Sequence, residues 1–94
     1  MNTVTVRIPA PLRSYTQGVD EVRVSGACVA EALSSLGAAH DGLSARILTP
    51  EGEPRQFVNI YLGSRNVRTL QGMATPVREG DVISIVPAVA GGVT

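Results

Sequence analysis

The sequence predicts an α+β domain in which a mixed sheet of four to five strands packs against one main helix. Three observations indicate this class. Strand-like alternation occurs near the start, one amphipathic helical stretch follows in the middle, and strand-like segments return after residue 56. A single helix of this kind buries its apolar stripe against a sheet, so the later strands are expected to return beside the first ones.

Size and composition indicate one folded domain. The chain has 94 residues, of which 44% are hydrophobic and 17% charged, as is typical of a globular protein. Net charge is zero, and the eight basic residues, all arginine, form no cluster of the kind that binds nucleic acid. The lone Cys28 excludes an internal disulfide. Without a signal peptide or a membrane-length apolar run, we expect a cytoplasmic protein.

The first strand and the second strand are predicted as a hairpin. Residues 3–8 alternate polar and apolar side chains, which predicts a half-buried strand that ends at Pro9. A second β segment is marked by Val19, Val22 and Val24 and ends at Gly26. Because the two segments are close in sequence, antiparallel pairing is the most economical arrangement.

The main helix is predicted from Ala27 to about Ala39, with Cys28 as a small buried apolar residue. Its apolar positions at helical spacing form one buried stripe: Val29, Ala32, Leu33 and Leu36. The sequence His40-Asp41-Gly42 is typical of a helix end rather than of an acid–base pair, because glycine favours the left-handed cap. A short helical turn over Leu43–Leu48 and an exposed loop over 49–54 are expected next.

The second half of the chain is predicted to add strands. Phe57 to Leu62 consists of strong β formers, and its continuous apolarity favours a central position. A short strand is predicted over 67–70, and a last strand over 82–86 that ends at Pro87. With the first and last strands side by side at the centre, this element order is that of a β-grasp, or ubiquitin-like, fold. We therefore assign residues 1–88 to one β-grasp domain.

The last six residues, Val89-Ala90-Gly91-Gly92-Val93-Thr94, are predicted to be a flexible tail, 89–94. Glycine has no side chain, so a Gly-Gly pair can enter a narrow enzyme channel. The five residues from Ala88 to Gly92 would reach about 17 Å at roughly 3.4 Å per extended residue. A functional carboxyl terminus is the leading hypothesis, and an ordinary loose chain end is the alternative.

The segment Val86-Pro87-Ala88-Val89-Ala90-Gly91-Gly92, preceded by residues 79–85, resembles the C-terminal signature of the ThiS and MoaD sulfur carriers. Segments 55–61 and 4–9 look like the CysO type, a carrier used with a cysteine synthase-like enzyme. The resemblance implies that an E1-like activating enzyme of the ThiF/MoeB type uses ATP to adenylate the terminal glycine, after which a sulfur source displaces AMP. The product is a thiocarboxylate, and the carrier itself binds no cofactor or metal and has no catalytic residue.

Site residues follow from the resemblance by position. Gly92 would carry the sulfur, and the residues before it would fit the partner's channel: Pro87, Ala88, Val89, Ala90 and Gly91. Because Val93 and Thr94 follow Gly92, the resemblance implies that a JAMM-type metalloprotease cleaves the bond between Gly92 and Val93. A cloning remnant or a degenerate tail is the alternative.

Partner contacts are also expected elsewhere on the sheet. A possible partner surface is predicted from five residues: Phe57, Tyr61, Leu62, Arg65 and Arg68. The acceptor of the sulfur would be a pyridoxal phosphate (PLP)-dependent, cysteine synthase-like enzyme. Two alternative functions stay open at this point: the small subunit of molybdopterin synthase, and a ubiquitin-like modifier of other proteins.

Overall fold

The computed structural model describes residues 2–87. Its strands are β1 (Asn2–Arg7), β2 (Glu21–Gly26), β3 (Val58–Leu62), β4 (Arg65–Asn66) and β5 (Val82–Pro87), and its helices are α1 (Val29–Ala39) and α2 (Leu43–Ile47). Short 3₁₀ segments occupy Ala10–Thr16, Val67–Thr69 and Gly72–Ala74. These elements form the predicted α+β arrangement, with the short α2 turn where the sequence indicated it.

The five strands form one mixed sheet in the order β2-β1-β5-β3-β4. β1 and β2 make the predicted antiparallel hairpin, with Val4 opposite Val24. β1 and β5 pair in parallel, with Val6 opposite Ile83. The prediction that the first and last strands lie side by side is therefore confirmed. β3 pairs antiparallel with β5 along its whole length and, on its other edge, with β4 at Tyr61 and Leu62.

The core lies between one face of the sheet and α1. Alternate strand residues point to that face, and the predicted stripe of α1 covers them. The buried strand residues are Val4, Val6, Val24, Ile60, Ile83 and Ile85, and the buried α1 residues are Val29, Ala32, Leu33 and Leu36. Because burying one large aliphatic side chain contributes roughly 1.5–3 kcal/mol, this contact is the main stabilising term of the fold.

Hydrogen bonds to Ala27, just before the helix, and to Thr75, much later in the chain, stabilise the start of α1. The Glu31 carboxylate accepts a hydrogen bond from the Ala27 N–H at 2.8 Å, and the Val29 N–H donates to the Thr75 carbonyl at 3.0 Å. The helix begins two residues later than predicted. Cys28 precedes the helix and is only partly buried, so its prediction as a buried helix residue is wrong.

Two strand boundaries also differ from the predictions. Phe57 lies outside β3, because its φ of +68° belongs to a turn and not to extended backbone. Residues 67–70, predicted as a strand, begin instead with a 3₁₀ turn at Val67–Thr69. The Asn66 side chain accepts a hydrogen bond from the Arg68 N–H at 2.9 Å, and this local bond favours a turn over a continued strand.

We expect the substitution Gly26→Ala to destabilise the fold. A Cβ added at Gly26 would lie 2.6 Å from the backbone nitrogen of Ala32, and this helix backbone cannot rotate away as a side chain can. Overpacking of this kind lowers the free energy of unfolding by about 1–3 kcal/mol. Urea denaturation followed by circular dichroism measures the loss.

The control is Ser25→Ala, the neighbouring exposed position of the same strand. Its free energy of unfolding should stay within about 0.5 kcal/mol of the unmodified chain. Equal stabilities for the two variants would contradict the close approach of β2 to α1.

Candidate functional site

The candidate site is the end of β5 at Pro87, the last described residue before the predicted tail, and we call this position the chain exit. Residues Val82–Ser84 of β5 pair with β1, and Ile83–Pro87 pair with β3, where Val58 lies opposite Pro87. Because each pairing uses backbone hydrogen bonds, β5 cannot slide without breaking both ladders. The chain after Pro87 therefore starts from a fixed point on the sheet.

Most of the predicted tail lies beyond this point. Ala88, Val89, Ala90, Gly91 and Gly92, and the predicted cleavage position at Gly92 and Val93, lie outside the described residues. Pro87 is the member of the predicted channel-binding set that the structure places. It is exposed, at the last paired position of β5.

The face of the sheet turned away from α1 borders the end of β5. We call the outer face the patch formed by Asn59 and Tyr61 of β3 together with Ser84 and Val86 of β5. Asn59 lies opposite Val86 and Tyr61 lies opposite Ser84, while Ile60 between them is buried on the helix side. The pleat alternates side chains between faces, so these four residues share one surface.

Of the four outer-face residues, the predicted partner surface included Tyr61 and missed Asn59, Ser84 and Val86, of which Val86 is the apolar one. Its side chain is 42% exposed, although valine in a strand is usually taken as core. The alternation in β5 carries the signal, because Ile83 and Ile85 are buried and Val86 belongs to the other set. An aliphatic residue on the solvent side, next to the chain exit, is a candidate contact.

The structure separates the five residues of the predicted partner surface. Phe57 is exposed and directly precedes Val58, which pairs with Pro87. Leu62 packs against the core, on the opposite face of β3 from Tyr61. Arg65 pairs with Leu62 at the far end of β3, about 13 Å along the strand from Val58.

Arg68 follows β4 in the next turn and is exposed, as Arg65 is. The two arginines therefore lie away from the chain exit, whereas Phe57 lies beside it and Tyr61 shares the outer face. The predicted set does not form one patch.

On β3 and β5 the residues nearest Pro87 that lie on the outer face or precede β3 are apolar or neutral: Phe57, Asn59, Tyr61, Ser84 and Val86. On β1 the same face carries charge, because Arg7 lies opposite Ser84 and forms an ion pair with Glu21. The apolar and neutral part of this surface is suited to binding another protein, since apolar side chains next to neutral polar groups bury well in an interface.

A separate groove of about 530 Å³ lies on the helix side, between α1 and the segment after α2. Arg55 is the one ionisable residue that lines it.

Residues 2–87 show neither a membrane-spanning helix nor a cluster of metal-binding side chains. No helix there has the length and apolarity needed to cross a membrane. In the same part of the chain, no group of three or more His, Cys, Asp or Glu side chains is placed to hold a metal ion.

Comparison with known proteins was made on both sequence and structure. The family model described as the ThiS family matches residues 6–92. The sulfur carrier protein CysO of Mycobacterium tuberculosis is 43% identical over 91 residues, covering 95% of this chain and 98% of that protein. Small archaeal modifier protein 3 of Haloferax volcanii is 44% identical over 66 residues, covering 70% of this chain and 71% of that protein.

A solved structure gives the same result. One chain of the crystal structure of the Amycolatopsis orientalis BexX/CysO complex superposes with a TM-score of 0.88 at 39% identity, covering 95% of this chain and 99% of that chain. The mixed five-stranded sheet with its helix is thus the β-grasp fold of these relatives. Since the family match extends over nearly the whole sequence and ends at the second glycine of the pair, this chain belongs to the ThiS family.

Proposed function

We propose that this chain is a sulfur carrier whose Gly92, after removal of Val93 and Thr94, is converted to a thiocarboxylate. The sulfur is then donated in the biosynthesis of cysteine or a related small molecule. One observation carries the proposal: the family match runs from residue 6 to Gly92 and leaves out the two residues that follow. The 43% identity to a CysO sulfur carrier supports it.

The chemistry explains why a terminal glycine is needed. A carboxylate is a poor electrophile, so ATP first converts it to an acyl adenylate with release of pyrophosphate. A sulfur nucleophile then attacks the carbonyl carbon, and AMP leaves with the electron pair of the broken C–O bond. Glycine leaves that carbon unshielded. The carrier supplies the acyl group and its position, while the partner supplies the catalysis.

Three partners follow from this cycle. An E1-like activating enzyme of the ThiF/MoeB type adenylates Gly92, a PLP-dependent cysteine synthase-like enzyme accepts the sulfur, and a JAMM-type metalloprotease removes Val93 and Thr94. The existence of a BexX/CysO complex for a relative supports the view that carriers of this type dock onto partner enzymes. We place the cycle in the cytoplasm, where ATP is available and a lone thiol such as Cys28 stays reduced.

The geometry at the end of β5 suits such docking. An enzyme that binds the segment following Pro87 would lie close to the outer face, where Val86 is exposed beside Pro87. We propose that Val86 and Tyr61 contact the activating enzyme. Arg65 and Arg68 lie near the far end of β3, so they would contribute only by attracting an acidic partner at long range and raising its association rate.

A second function, protein modification, has specific support. A relative of 44% identity over 66 residues is a small archaeal modifier protein. A modifier would use the same activated Gly92 to acylate lysines of other proteins, so covalent conjugates in cell extracts are the distinguishing product. The molybdopterin synthase alternative would instead require a stable complex with a large synthase subunit.

We expect the chain that ends at Gly92 to gain about 16 Da when incubated with the cognate E1-like enzyme, ATP and sulfide, because sulfur replaces one carboxylate oxygen. Intact-protein mass spectrometry measures the gain. The full-length chain, whose Gly92 carbonyl is held in a peptide bond, is the control and should keep its mass. No gain on either form would refute the carrier proposal.

We expect a JAMM-type metalloprotease to release Val93-Thr94 from the full-length chain. The product should have the mass of the chain ending at Gly92 and become competent for the sulfur gain. Treatment with a zinc chelator is the control, because the protease needs its metal to activate water. Sulfur gain on a chain that retains Val93 and Thr94 would contradict the requirement for clipping.

Val86→Asp should raise the KM of the activating enzyme for the Gly92-ending carrier about tenfold or more, because it puts a charge into an interface that must exclude water. The matched control is Val19→Asp, an equally exposed valine in the β1–β2 connection (46% against 42%). It should leave KM unchanged. Equal KM values for both variants would show that the outer face is not the docking surface.

A further inference from the structure

Phe57 occupies a backbone conformation that suits glycine. The Val58 N–H donates a hydrogen bond to the Arg55 carbonyl at 3.0 Å, so residues 55–58 form a β-turn directly before β3. Phe57 is the third residue of this turn and has φ +68°, while Gln56 before it does not have a positive φ. This is the pattern of a type II turn, whose third position normally holds glycine or asparagine.

Most of the other positive-φ positions in the described part of the chain hold glycine. Among residues 2–87, positive φ values occur at six glycines: Gly18, Gly42, Gly52, Gly63, Gly72 and Gly80. The two exceptions are Gln17, at φ 53°, and Phe57. Gln17 ends a 3₁₀ segment with a polar side chain, whereas a bulky aromatic residue in this region is a true outlier that costs stability.

The fold does not recover this cost by burying the ring. Phe57 is the one phenylalanine of the chain, and it is 44% exposed, whereas the core is built from aliphatic side chains and Met73. Aromatic side chains normally contribute most when they are buried. Strained residues retained in spite of their cost cluster at functional sites, so the exposed ring needs a use outside the folded monomer.

The position of the turn indicates that use. Val58 is the partner of Pro87, the last paired residue of β5. Phe57 directly precedes Val58, just outside β3, and therefore lies next to Pro87, the last described residue of the chain. Val86, exposed on the adjacent outer face, lies within two residues of the same exit. The ring thus stands at the base of the segment that carries Gly92.

We infer that the Phe57 ring is an anchor for the activating enzyme: it enters an apolar recess beside the entrance of the channel that receives Gly91 and Gly92. The ring is not part of the core, since Phe57 is exposed and Val58, the residue after it, packs against the core instead. Phe57 is a positioning residue and takes no part in the chemistry at Gly92. The inference rests on the proposed function and assigns a specificity contact to it.

The test uses Phe57→Asn in the chain that ends at Gly92. Asparagine tolerates the left-handed conformation, so the turn is kept while the ring is lost. We expect the KM of the cognate E1-like enzyme for the carrier to rise about tenfold or more, as for an aromatic hot spot, with kcat at saturation unchanged. The melting temperature should stay the same or rise, because the strained aromatic residue is gone.

Two matched variants complete the experiment. Phe57→Tyr keeps the ring and should keep KM within about twofold of the unmodified carrier, since only one hydroxyl is added. Gln17→Asn changes the other left-handed side chain and should alter neither KM nor kcat. An unchanged KM for Phe57→Asn, or a melting temperature that falls by several degrees, would overturn the inference, the latter because the ring would then be a structural residue.

The mass gain of the unmodified carrier distinguishes a failure of the proposed function from a failure of the Phe57 anchor alone. If the unmodified carrier gains no sulfur mass, both the carrier proposal and the inference that Phe57 is an anchor are refuted. If the unmodified carrier is activated and Phe57→Asn is activated with the same KM, only the anchor is refuted.

A direct readout is available because the chain has a single phenylalanine. Incorporated 4-fluorophenylalanine gives one ¹⁹F resonance, whose shift difference between H₂O and D₂O reports the exposure of the ring. We expect this difference to disappear when the E1-like enzyme is added to the Gly92-ending carrier. A resonance that keeps its solvent isotope shift in the complex would contradict the anchor.

Discussion

The insertion of β5 between β1 and β3 is the interaction on which the rest of this structure depends. It joins the two ends of the chain: β1 pairs with β5 in parallel, and the Gly80 N–H donates to the Thr3 carbonyl at 2.9 Å. Contacts so far apart in sequence are costly in loop entropy, and the apolar face that β1, β5 and α1 bury together offsets this cost. Without this pairing, the chain exit would have no rigid support.

This arrangement assigns different tasks to the two ends of the last strand. Ile83 and Ile85 hold β5 in the core, whereas Val86 and Pro87 are exposed where the strand ends. A carrier must be rigid enough to be recognised and must also offer an end that enters another protein. In the proposed cycle, the sheet provides the recognised surface, and the glycine pair provides the reactive group that the enzyme works on.

The turn before β3 shows how a local conflict can be informative. Most left-handed positions of the described chain hold glycine, so the sequence generally agrees with its backbone. Phe57 breaks this agreement beside the chain exit, without the burial that would justify an aromatic residue. Natural sequences are locally consistent except where function requires otherwise. The conflict therefore identifies a surface that neither exposure nor composition alone would single out.

The sequence by itself determined the elements whose pattern is local. These are the alternation of β1, the stripe of α1 and the glycine pair, because side-chain period and glycine spacing need no distant partner to be read. The tertiary structure decided the features that depend on residues distant in sequence or on side-chain contacts. The face of β3 covered by α1 put Leu62 inward and Tyr61 outward, the Asn66 side chain turned residues 67–69 into a 3₁₀ segment, and the ladder between Val58 and Pro87 placed Phe57 at the chain exit. Each is a pairing or packing choice that a linear pattern does not contain.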